Sequence, residues 1–400
     1  MKIDTNPEKV EEFLTRGIEN IYPNKEFVKK LLLSGKCLKI YMGIDPTGPS
    51  LHIGHAIPLK KLAELQKLGH QIYFLIGDFT ATIGDPDKLS LRKPLTRREV
   101  LKNAQDYKKQ ASKFIKFGFG GAKIKYNSKW LSKISFEKLL NLSSYLTYSQ
   151  IIKRAMFQER IKQDKDIHVN EFLYPLMQGY DSIILDVDGE IGGNDQVYNM
   201  LIGRDLVKKI QGREKFVIGT KLLVDSVGAK MGKTTGNMIS LKESAQEMFG
   251  KVMSWTDGMI LPGFELCTNV PTVDISKIKA ELDRGVNPRD LKIKLAKEIV
   301  TIYHGAYKAD LAEKNFIETF KNGGVPEKID EVSAANGELL SDLSVKAGIV
   351  KSKGEFRRLV LEKAVSNQET GDKILDPNFK VADTSVFKIG KRRFLRVVVK

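Results

Sequence analysis

The first half of the chain alternates short apolar segments with amphipathic helical segments, and this alternation constrains the fold most strongly. Segments 38–44, 71–77 and 122–126 have the apolar composition of buried strands, and segments 53–68 and 97–117 have helical spacing. Strands that alternate with helices form a parallel sheet whose faces the helices cover. The sequence therefore predicts an α/β fold for this part of the chain.

The second half of the chain is mainly helical and ends in a small module of different composition. A stretch rich in glycine and proline begins at residue 322 and indicates a linker. After about residue 340 the pattern changes to a basic α+β module. The other predicted elements are helices over 136–163, 170–180 and 195–211, strands over 183–191 and 215–224, and a helical region over 241–320.

The charge of the chain indicates a polyanionic partner. The net charge is +17, and residues 351–400 hold 13 lysines and arginines against 6 acidic residues. A basic protein without such a partner is the alternative, but a local concentration of positive charge favours nucleic acid, because lysine and arginine contact phosphates.

The cysteine content and the apolar runs indicate a cytoplasmic protein. Cys37 and Cys267 are the only cysteines and lie far apart, which forms neither a disulfide framework nor a zinc pattern. No apolar run approaches the ~18 residues of a membrane span, and the N-terminus lacks a secretory signal. We expect a reducing cytoplasm and no membrane.

Three separate segments have features that suit phosphate binding. His52 and His55 flank Gly54 at the start of a predicted helix, where free backbone N–H groups and two imidazoles suit a polyphosphate. Lys230 and Lys233 lie in a glycine-rich loop. A third segment, Gly192-Gly193-Asn194-Asp195-Gln196, joins a strand to a helix, where an acid suits ribose hydroxyls. The alternatives are ordinary helix-start histidines, a solvated basic turn and a turn in which Asp195 caps a helix.

A polar stripe on a predicted apolar helix suits a polar ligand. Tyr174, Gln178 and Asp181 are spaced i, i+4 and i+7, so they share one face, and their neighbours are apolar. Such side chains need hydrogen-bond partners when they are buried. Exposure to solvent, or contact with another protein segment, is the alternative.

The order of these motifs resembles that of the class I aminoacyl-tRNA synthetases. The HIGH tetrapeptide is followed by GGxDQ and then by a KMxK loop. Tyr41 before the turn and the pattern Tyr174-x-x-x-Gln178-x-x-Asp181 resemble the tyrosyl family, as does the IGDP at Asp85. Three sequence segments resemble the second bacterial subgroup of tyrosyl-tRNA synthetases: IGDFTATIGDP, YPLMQGYD and NPRDLKIKLAKEIVTIYHG. The resemblance covers nearly the whole chain.

The resemblance implies a role for each matching residue. Tyr41 and Asp181 would bind the substrate phenol, and Gln196 would face its carboxylate. The substrate ammonium would be held by Asp85, Tyr174 and Gln178. The implied ATP-binding residues are Asp45, Thr47, His52, Gly54, His55, Gly193, Asp195, Lys230, Met231 and Lys233. The implied catalytic residues, which stabilise charge on the phosphates, are His52, His55, Lys230, Lys233 and Thr234, and no protein-bound metal is expected.

The C-terminal module resembles the S-four-type RNA-binding domain. The arginine and lysine residues that would grip RNA are Arg357 and Arg358 on a helix, and Lys391, Arg392 and Arg393 before the last strand.

Three positions depart from the family pattern: Gly232 stands at the third position of the signature loop, Pro58 follows HIGH, and Asn194 precedes Asp195.

The family implies an organisation and a reaction for the whole chain. Residues 1–235 would form a Rossmann-type catalytic domain with a helical insertion near 130–185, and 236–322 a helical anticodon-side domain. A linker over 323–340 would lead to an S-four-type domain over 341–400. ATP, with Mg²⁺ on its phosphates, would activate L-tyrosine for transfer to tRNA(Tyr) by a homodimer. The alternatives are a tryptophanyl-tRNA synthetase and a non-catalytic RNA-binding protein on a synthetase scaffold.

Overall fold

The chain forms two compact units, Met1–Gly305 and Ala306–Lys400. The computed structural model describes residues 2–85, 95–224, 238–321, 329–390 and 393–399. Within these ranges, no helix combines the length and the apolar composition that a membrane crossing needs.

A six-stranded sheet forms the centre of the first unit. The strand order is β1-β6-β5-β2-β3-β4, with β1 antiparallel to β6 and all other neighbours parallel. This arrangement confirms the predicted α/β fold of the Rossmann type. The strands are β1 Ile18–Tyr22, β2 Lys39–Ile44, β3 Gln71–Ile76, β4 Lys123–Tyr126, β5 Gly189–Gly193 and β6 Phe216–Thr220.

Helices surround this sheet and form most of the rest of the unit. They begin at residues that satisfy exposed backbone N–H groups, such as Asn6, Thr96 and Ser244. The helices of the N-terminal half are α1 Pro7–Thr15, α2 Lys25–Leu33, α3 Ile53–Lys67, α4 Arg97–Ala104, α5 Tyr107–Ala111, α6 Ser128–Leu131, α7 Phe136–Ser143, α8 Tyr148–Ile152 and α9 Ala155–Lys162. Those that follow are α10 Val169–Leu185, α11 Val197–Gln211, α12 Ala245–Met253, α13 Ile260–Cys267, α14 Thr272–Asp283 and α15 Pro288–His304.

The predicted single helix over 97–117 is wrong, because the chain breaks between α4 and α5. Asp106 has a non-helical conformation at the break. The break lets Tyr107 donate from its hydroxyl to the Gly48 carbonyl at 2.7 Å, and Gln110 accept from the Leu51 N–H at 2.8 Å. Contacts with the loop that precedes α3 therefore override the continuous helical pattern.

The predicted strand over 183–191 is also wrong in its first half. Helix α10 continues to Leu185 and ends at Asp186, which has a left-handed backbone conformation. Ile183 packs with Ile202 and Leu206 of α11 in one apolar cluster. A run of three apolar residues fits a strand or a buried helix equally well, and packing against α11 selects the helix.

The second unit contains a small α+β domain with its own core. Its four-stranded sheet has the order β7-β12-β11-β9, and Phe356, Leu395 and Val397 are fully or almost fully buried against it. The elements are α16 Ala306–Lys321, β7 Asp330–Ala334, β8 Glu338–Leu339, α17 Leu340–Lys346, α18 Lys353–Leu361, β9 Val365–Asn367, β10 Lys380–Val381, β11 Ser385–Ile389 and β12 Arg393–Val399.

The boundary of this unit differs from the prediction. Strand β7 lies inside the stretch 323–340 that was expected to be a linker, and it pairs in parallel with β12. Because the partners are far apart in sequence, no local pattern indicates this pairing. The two units divide at Gly305 rather than near residue 322.

Candidate functional site

The candidate site lies at the carboxyl ends of β2 and β5. These strands are neighbours in the sheet. From β2 the chain continues to β3 on one side of this pair, and from β5 it continues to β6 on the other side. Helices α3 and α11 begin soon after these two strands end. Such a switch point leaves a crevice where open α/β sheets bind their ligands, with helix N-termini pointing into it.

The two histidines of the HIGH motif lie together at the start of α3. Their rings stack with centroids 3.6 Å apart. The backbone N–H of His52 donates to Nδ1 of His55 at 3.2 Å, so a neutral His55 carries its proton on Nε2. A Cβ at Gly54 would lie 3.1 Å from atoms of the His52 ring, so a larger residue there would press against that ring. Pro58 lies inside α3 and leaves the Gly54 carbonyl without its usual helical donor.

Asp45, which follows β2, is fixed by two hydroxyl donors. Thr80 donates to Oδ1 at 2.6 Å, and Tyr174 donates to Oδ2 at 2.9 Å. A Cβ at Gly77 would lie 1.9 Å from that Oδ1, so only glycine fits there. Burial raises the pKa of Tyr174 well above its usual value, and the negative charges of Asp45 and Asp85 add to the shift. Tyr174 therefore stays a hydrogen-bond donor.

The segment after β5 connects to Asp85 and to the edge strand. Gln196 donates from Nε2 to Oδ2 of Asp85 at 2.7 Å. The departure at Asn194 has a structural role, since its Oδ1 accepts from Nδ2 of Asn20 on β1 at 2.7 Å. A Cβ at Gly193 would lie 2.5 Å from a carboxylate oxygen of Asp195, so a larger residue there would require the Asp195 side chain to move.

The predicted polar stripe on α10 faces the protein interior. Asp181 is 2% exposed and accepts from Trp130 Nε1 at 2.7 Å and from Asn127 Nδ2 at 3.3 Å. Burial raises the pKa of Asp181 well above its usual value, although those two donors oppose the shift. Gln178 donates from Nε2 to Oε1 of Glu190 at 3.2 Å.

Tyr41 lies beside the same stripe and bonds to it through a serine. Its hydroxyl lies 3.0 Å from Oγ of Ser182, the residue after Asp181. Burial raises the pKa of Tyr41 well above its usual value, and the charges of Glu190 and Asp181 raise it further. The structure therefore brings Tyr41, Tyr174, Gln178 and Asp181 together, and we call these four residues the α10 cluster.

A buried ion pair lies behind the α10 cluster. Lys215 is 0% exposed, and its ammonium contacts a carboxylate oxygen of Glu190. Burial lowers the pKa of Lys215, and the Glu190 carboxylate opposes that shift. The site combines four carboxylates, those of Asp45, Asp85, Asp181 and Glu190, with this one buried cation among the described residues. The excess of negative charge favours a cationic ligand group.

Some predicted site residues lie outside the described ranges: Lys230, Met231, Lys233, Thr234, Lys391 and Arg392.

The remaining predicted residues have diverse environments. Thr47 lies in the turn after β2, where its N–H donates to the Asp45 carbonyl. Arg357 and Arg358 are exposed on α18. Arg393 is bound within its own unit, because it donates to the Ile349 carbonyl and to Glu355.

Sequence reasoning missed several residues that position the site: Thr80, Asn127, Trp130, Ser182, Glu190 and Lys215. Lys215 carried a usable signal, because it is a charged residue directly before the apolar strand residues 216–218. In the described ranges, no group of three or more histidine, cysteine or acidic side chains is arranged to hold a metal ion.

Comparison with known proteins identifies relatives that match almost the whole chain. Residues 34–321 match the family model described as tRNA synthetases class I (W and Y). The tyrosine–tRNA ligase of Haemophilus ducreyi is 41% identical over 97% of both chains. That of Carboxydothermus hydrogenoformans is 42% identical, also over 97% of both chains.

A solved structure has the same fold over most of the chain. The C-terminally truncated mitochondrial tyrosyl-tRNA synthetase of Coccidioides posadasii is 25% identical, with a TM-score of 0.63. The similarity covers 77% of the present chain and 90% of that one.

Proposed function

The chain belongs to the tyrosyl-tRNA synthetases of class I, and from this premise we propose how its residues perform the reaction. The enzyme is a tyrosine–tRNA ligase, which activates tyrosine with ATP and then joins it to tRNA. A tryptophanyl-tRNA synthetase is not favoured, because relatives that match 97% of the chain are tyrosine–tRNA ligases. A non-catalytic scaffold protein is not favoured either, for the same reason.

The α10 cluster is the proposed tyrosine-binding site. Asp181 and Tyr41 are buried polar groups beside each other on a wall of apolar residues, which suits one phenol hydroxyl. Tyr174, Gln178 and Asp85 would surround the substrate ammonium, which the excess of carboxylates favours. Gln196, which is held by Asp85, would face the substrate carboxylate. The single observation that carries the proposal is the buried pair Asp181 and Tyr41 at the sheet switch point.

The first chemical step needs positioning and charge stabilisation rather than a base. The tyrosine carboxylate is already ionised at neutral pH, so it attacks the α-phosphorus of ATP directly. The bond to the β,γ-pyrophosphate breaks, and tyrosyl-adenylate forms. In the second step a ribose hydroxyl at the 3′ end of tRNA attacks the activated carboxyl carbon and releases AMP.

ATP would lie across the start of α3. His52 and His55 would donate to the phosphates, while Gly193 and Asp195 would contact the ribose. Lys230, Lys233 and Thr234 would act from the signature loop, with Met231 against the nucleotide. We propose that Mg²⁺ arrives bound to the phosphates of ATP.

The second unit is the proposed tRNA-binding region. Arg357 and Arg358 are exposed on one helix, and the last fifty residues are strongly basic. Lys391 and Arg392 would extend this surface, whereas Arg393 would support it through its bond to Glu355. Such a surface suits a structured RNA backbone, which is recognised by shape and charge.

We also propose a homodimer, with a second copy covering an apolar surface on the helices before and at the start of α10. Phe136 is 75% exposed and Val169 is 76% exposed, and Leu140 and Tyr148, which lie between them in the sequence, are also exposed. Large apolar groups of this kind mark interaction sites. The proposed compartment is the cytoplasm, where the two free cysteines stay reduced.

Tyrosine-dependent exchange of pyrophosphate into ATP tests the proposed function directly. We expect exchange with tyrosine, much weaker exchange with phenylalanine, and none with tryptophan. Aminoacylation of tRNA(Tyr) tests the second step. An absence of tyrosine-dependent exchange in folded protein would refute the proposed function.

A further inference from the structure

The buried Lys215–Glu190 pair has geometry that bears on tyrosine selection. Three acceptors surround Nζ of Lys215: Ser182 Oγ at 2.7 Å, a Glu190 carboxylate oxygen, and the Met200 carbonyl at 3.4 Å. An ammonium has three hydrogens and no acceptor, so this environment matches the charged form. Every hydrogen of Lys215 is thereby assigned.

The lysine determines the direction of the next hydrogen bond. Because Lys215 can only donate, Ser182 must accept from it. Ser182 is 0% exposed, and its other partner in the described part of the chain is the Tyr41 hydroxyl, at 3.0 Å. A buried hydroxyl hydrogen needs an acceptor, so Ser182 donates to Tyr41. Tyr41 then has its own hydrogen to donate, and the Glu190 carboxylate is the acceptor beside it in the unliganded protein.

The glycine-lined crossing of α10 and α11 provides the space for this chain of bonds. A Cβ at Gly203 would lie 2.8 Å from Nζ of Lys215 and 2.8 Å from Oγ of Ser182. A Cβ at Gly179 would come within 3.2 Å of the Gly203 backbone nitrogen. The two glycines therefore let the helices approach closely while the lysine passes between them and the sheet.

We propose that Lys215 is a positioning residue that sets the donor direction of Tyr41 for tyrosine recognition. Hydrogen bonds would run from Lys215 to Ser182, from Ser182 to Tyr41, and from Tyr41 to the phenol oxygen of bound tyrosine. The substrate hydroxyl would then donate its hydrogen to Asp181. The inference rests on the proposed function, because it requires tyrosine to lie in the α10 cluster.

The Glu190 carboxylate lies beside Tyr41, as Asp181 does, and is also a hydrogen-bond partner of the Tyr41 hydroxyl. Its Oε1 accepts from Gln178, and its Oε2 accepts from Lys215. Its negative charge keeps the proton on Tyr41, in agreement with the raised pKa of that phenol. Glu190 therefore supports the donor role of Tyr41 and connects the phenol end of the site to Gln178.

Discrimination against phenylalanine follows from the direction in which Tyr41 donates its hydrogen. Phenylalanine has no oxygen to accept from Tyr41, so it leaves the Tyr41 hydrogen with only its contact to Glu190. Without Lys215, Ser182 could accept from Tyr41 instead, and phenylalanine would leave no unpaired donor. Loss of Lys215 should therefore weaken the use of tyrosine without weakening the use of phenylalanine.

The test compares kcat/KM for tyrosine and phenylalanine in pyrophosphate exchange. Lys215→Met alone would leave Glu190 as an unpaired buried charge and can unfold the protein. The main variant is therefore Lys215→Met with Glu190→Gln, which replaces the pair by neutral groups. We expect roughly tenfold lower kcat/KM for tyrosine and an unchanged or higher value for phenylalanine, a change typical of one hydrogen bond.

Two further variants distinguish this role from a merely structural one. Ser182→Ala alone should keep most tyrosine selectivity, because Tyr41 then has no serine to donate to. Ser182→Ala added to the neutral pair should restore most of the tyrosine/phenylalanine ratio. Lys39→Met is the matched control, since it breaks an exposed lysine–aspartate pair on the sheet and should leave both constants unchanged.

Equal losses for tyrosine and phenylalanine, or a wild-type ratio in the neutral-pair variant, would overturn the inference. A failure of Ser182→Ala to restore the ratio would overturn the directional step. These outcomes are distinct from a failure of the proposed function, in which wild-type protein would show no tyrosine-dependent exchange and both proposals would fall. Thermal unfolding of each variant identifies any that lose the fold.

Discussion

Replacement of Asp181 by asparagine should be the most informative single change in the tyrosine site. The two side chains have nearly the same shape, so packing is retained. Asp181 is 2% exposed and accepts from both Trp130 and Asn127. An asparagine can accept through one oxygen only, so its amide group would face either a donor of the protein or the substrate hydroxyl.

The expected magnitude follows from the bond that the substrate loses. A hydrogen bond to a charged group contributes about 1.5–3 kcal/mol, and about 1.4 kcal/mol corresponds to a tenfold change. The kcat/KM for tyrosine should therefore fall by about one to two orders of magnitude. Phenylalanine gives the wild-type carboxylate no donor and leaves it with only Trp130 and Asn127, so Asp181→Asn should not harm phenylalanine use and can improve it. Rejection of phenylalanine by tyrosyl-tRNA synthetases is itself the standard illustration of such an unpaired polar group.

Pyrophosphate exchange with each amino acid measures both constants. Asp186→Asn is a suitable control, because Asp186 lies at the end of the same helix and is exposed in ion pairs with Lys39 and Arg213. It should leave the ratio unchanged. A tyrosine/phenylalanine ratio that stays within about threefold of the wild type in Asp181→Asn is a smaller change than the loss of one such hydrogen bond would cause. That result would mean that the carboxylate does not bind the phenol.

Lys233→Ala should slow adenylate formation severely in single-turnover assays while tyrosine binding stays near normal, because the loop lysine acts on the pyrophosphate. Equal losses in the rate of adenylate formation and in tyrosine binding would contradict that role. A chain that ends after Lys321 should keep pyrophosphate exchange and lose most aminoacylation, with a weaker salt dependence of tRNA binding; normal charging would refute the role of the C-terminal domain. Burial lowers the pKa of His70 to about 4 from 6.5, so protonation of the unfolded chain should reduce the free energy of unfolding by about 3 kcal/mol as the pH falls from 6.5 to 4. His70→Asn should remove this part of the pH dependence in urea unfolding, and identical slopes in the two proteins would contradict the assignment.

The residues that sequence reasoning located correctly are those whose roles depend on local spacing. Helix α3 begins at the HIGH motif as its pattern predicts, and Tyr174, Gln178 and Asp181 share one face because a helix repeats every 3.6 residues. The buried pair Lys215 and Glu190 shows the limit of this approach. Lys215 is visible as a charge before an apolar strand and Glu190 as a charge within a predicted strand, but the sequence does not indicate that the two charges meet.

The sequence by itself determined the parallel sheet, the helices that carry the motifs, and the family. Only the tertiary structure decided the break at Asp106, the continuation of α10 through Leu185, and the pairing of β7 with β12. It also decided that Lys215 reaches Tyr41 through Ser182. Periodicity and turn residues act over a few positions, and a chain can encode them locally. Hydrogen-bond direction and ion pairing depend on atoms from distant segments, which become neighbours only when the helices and the sheet pack.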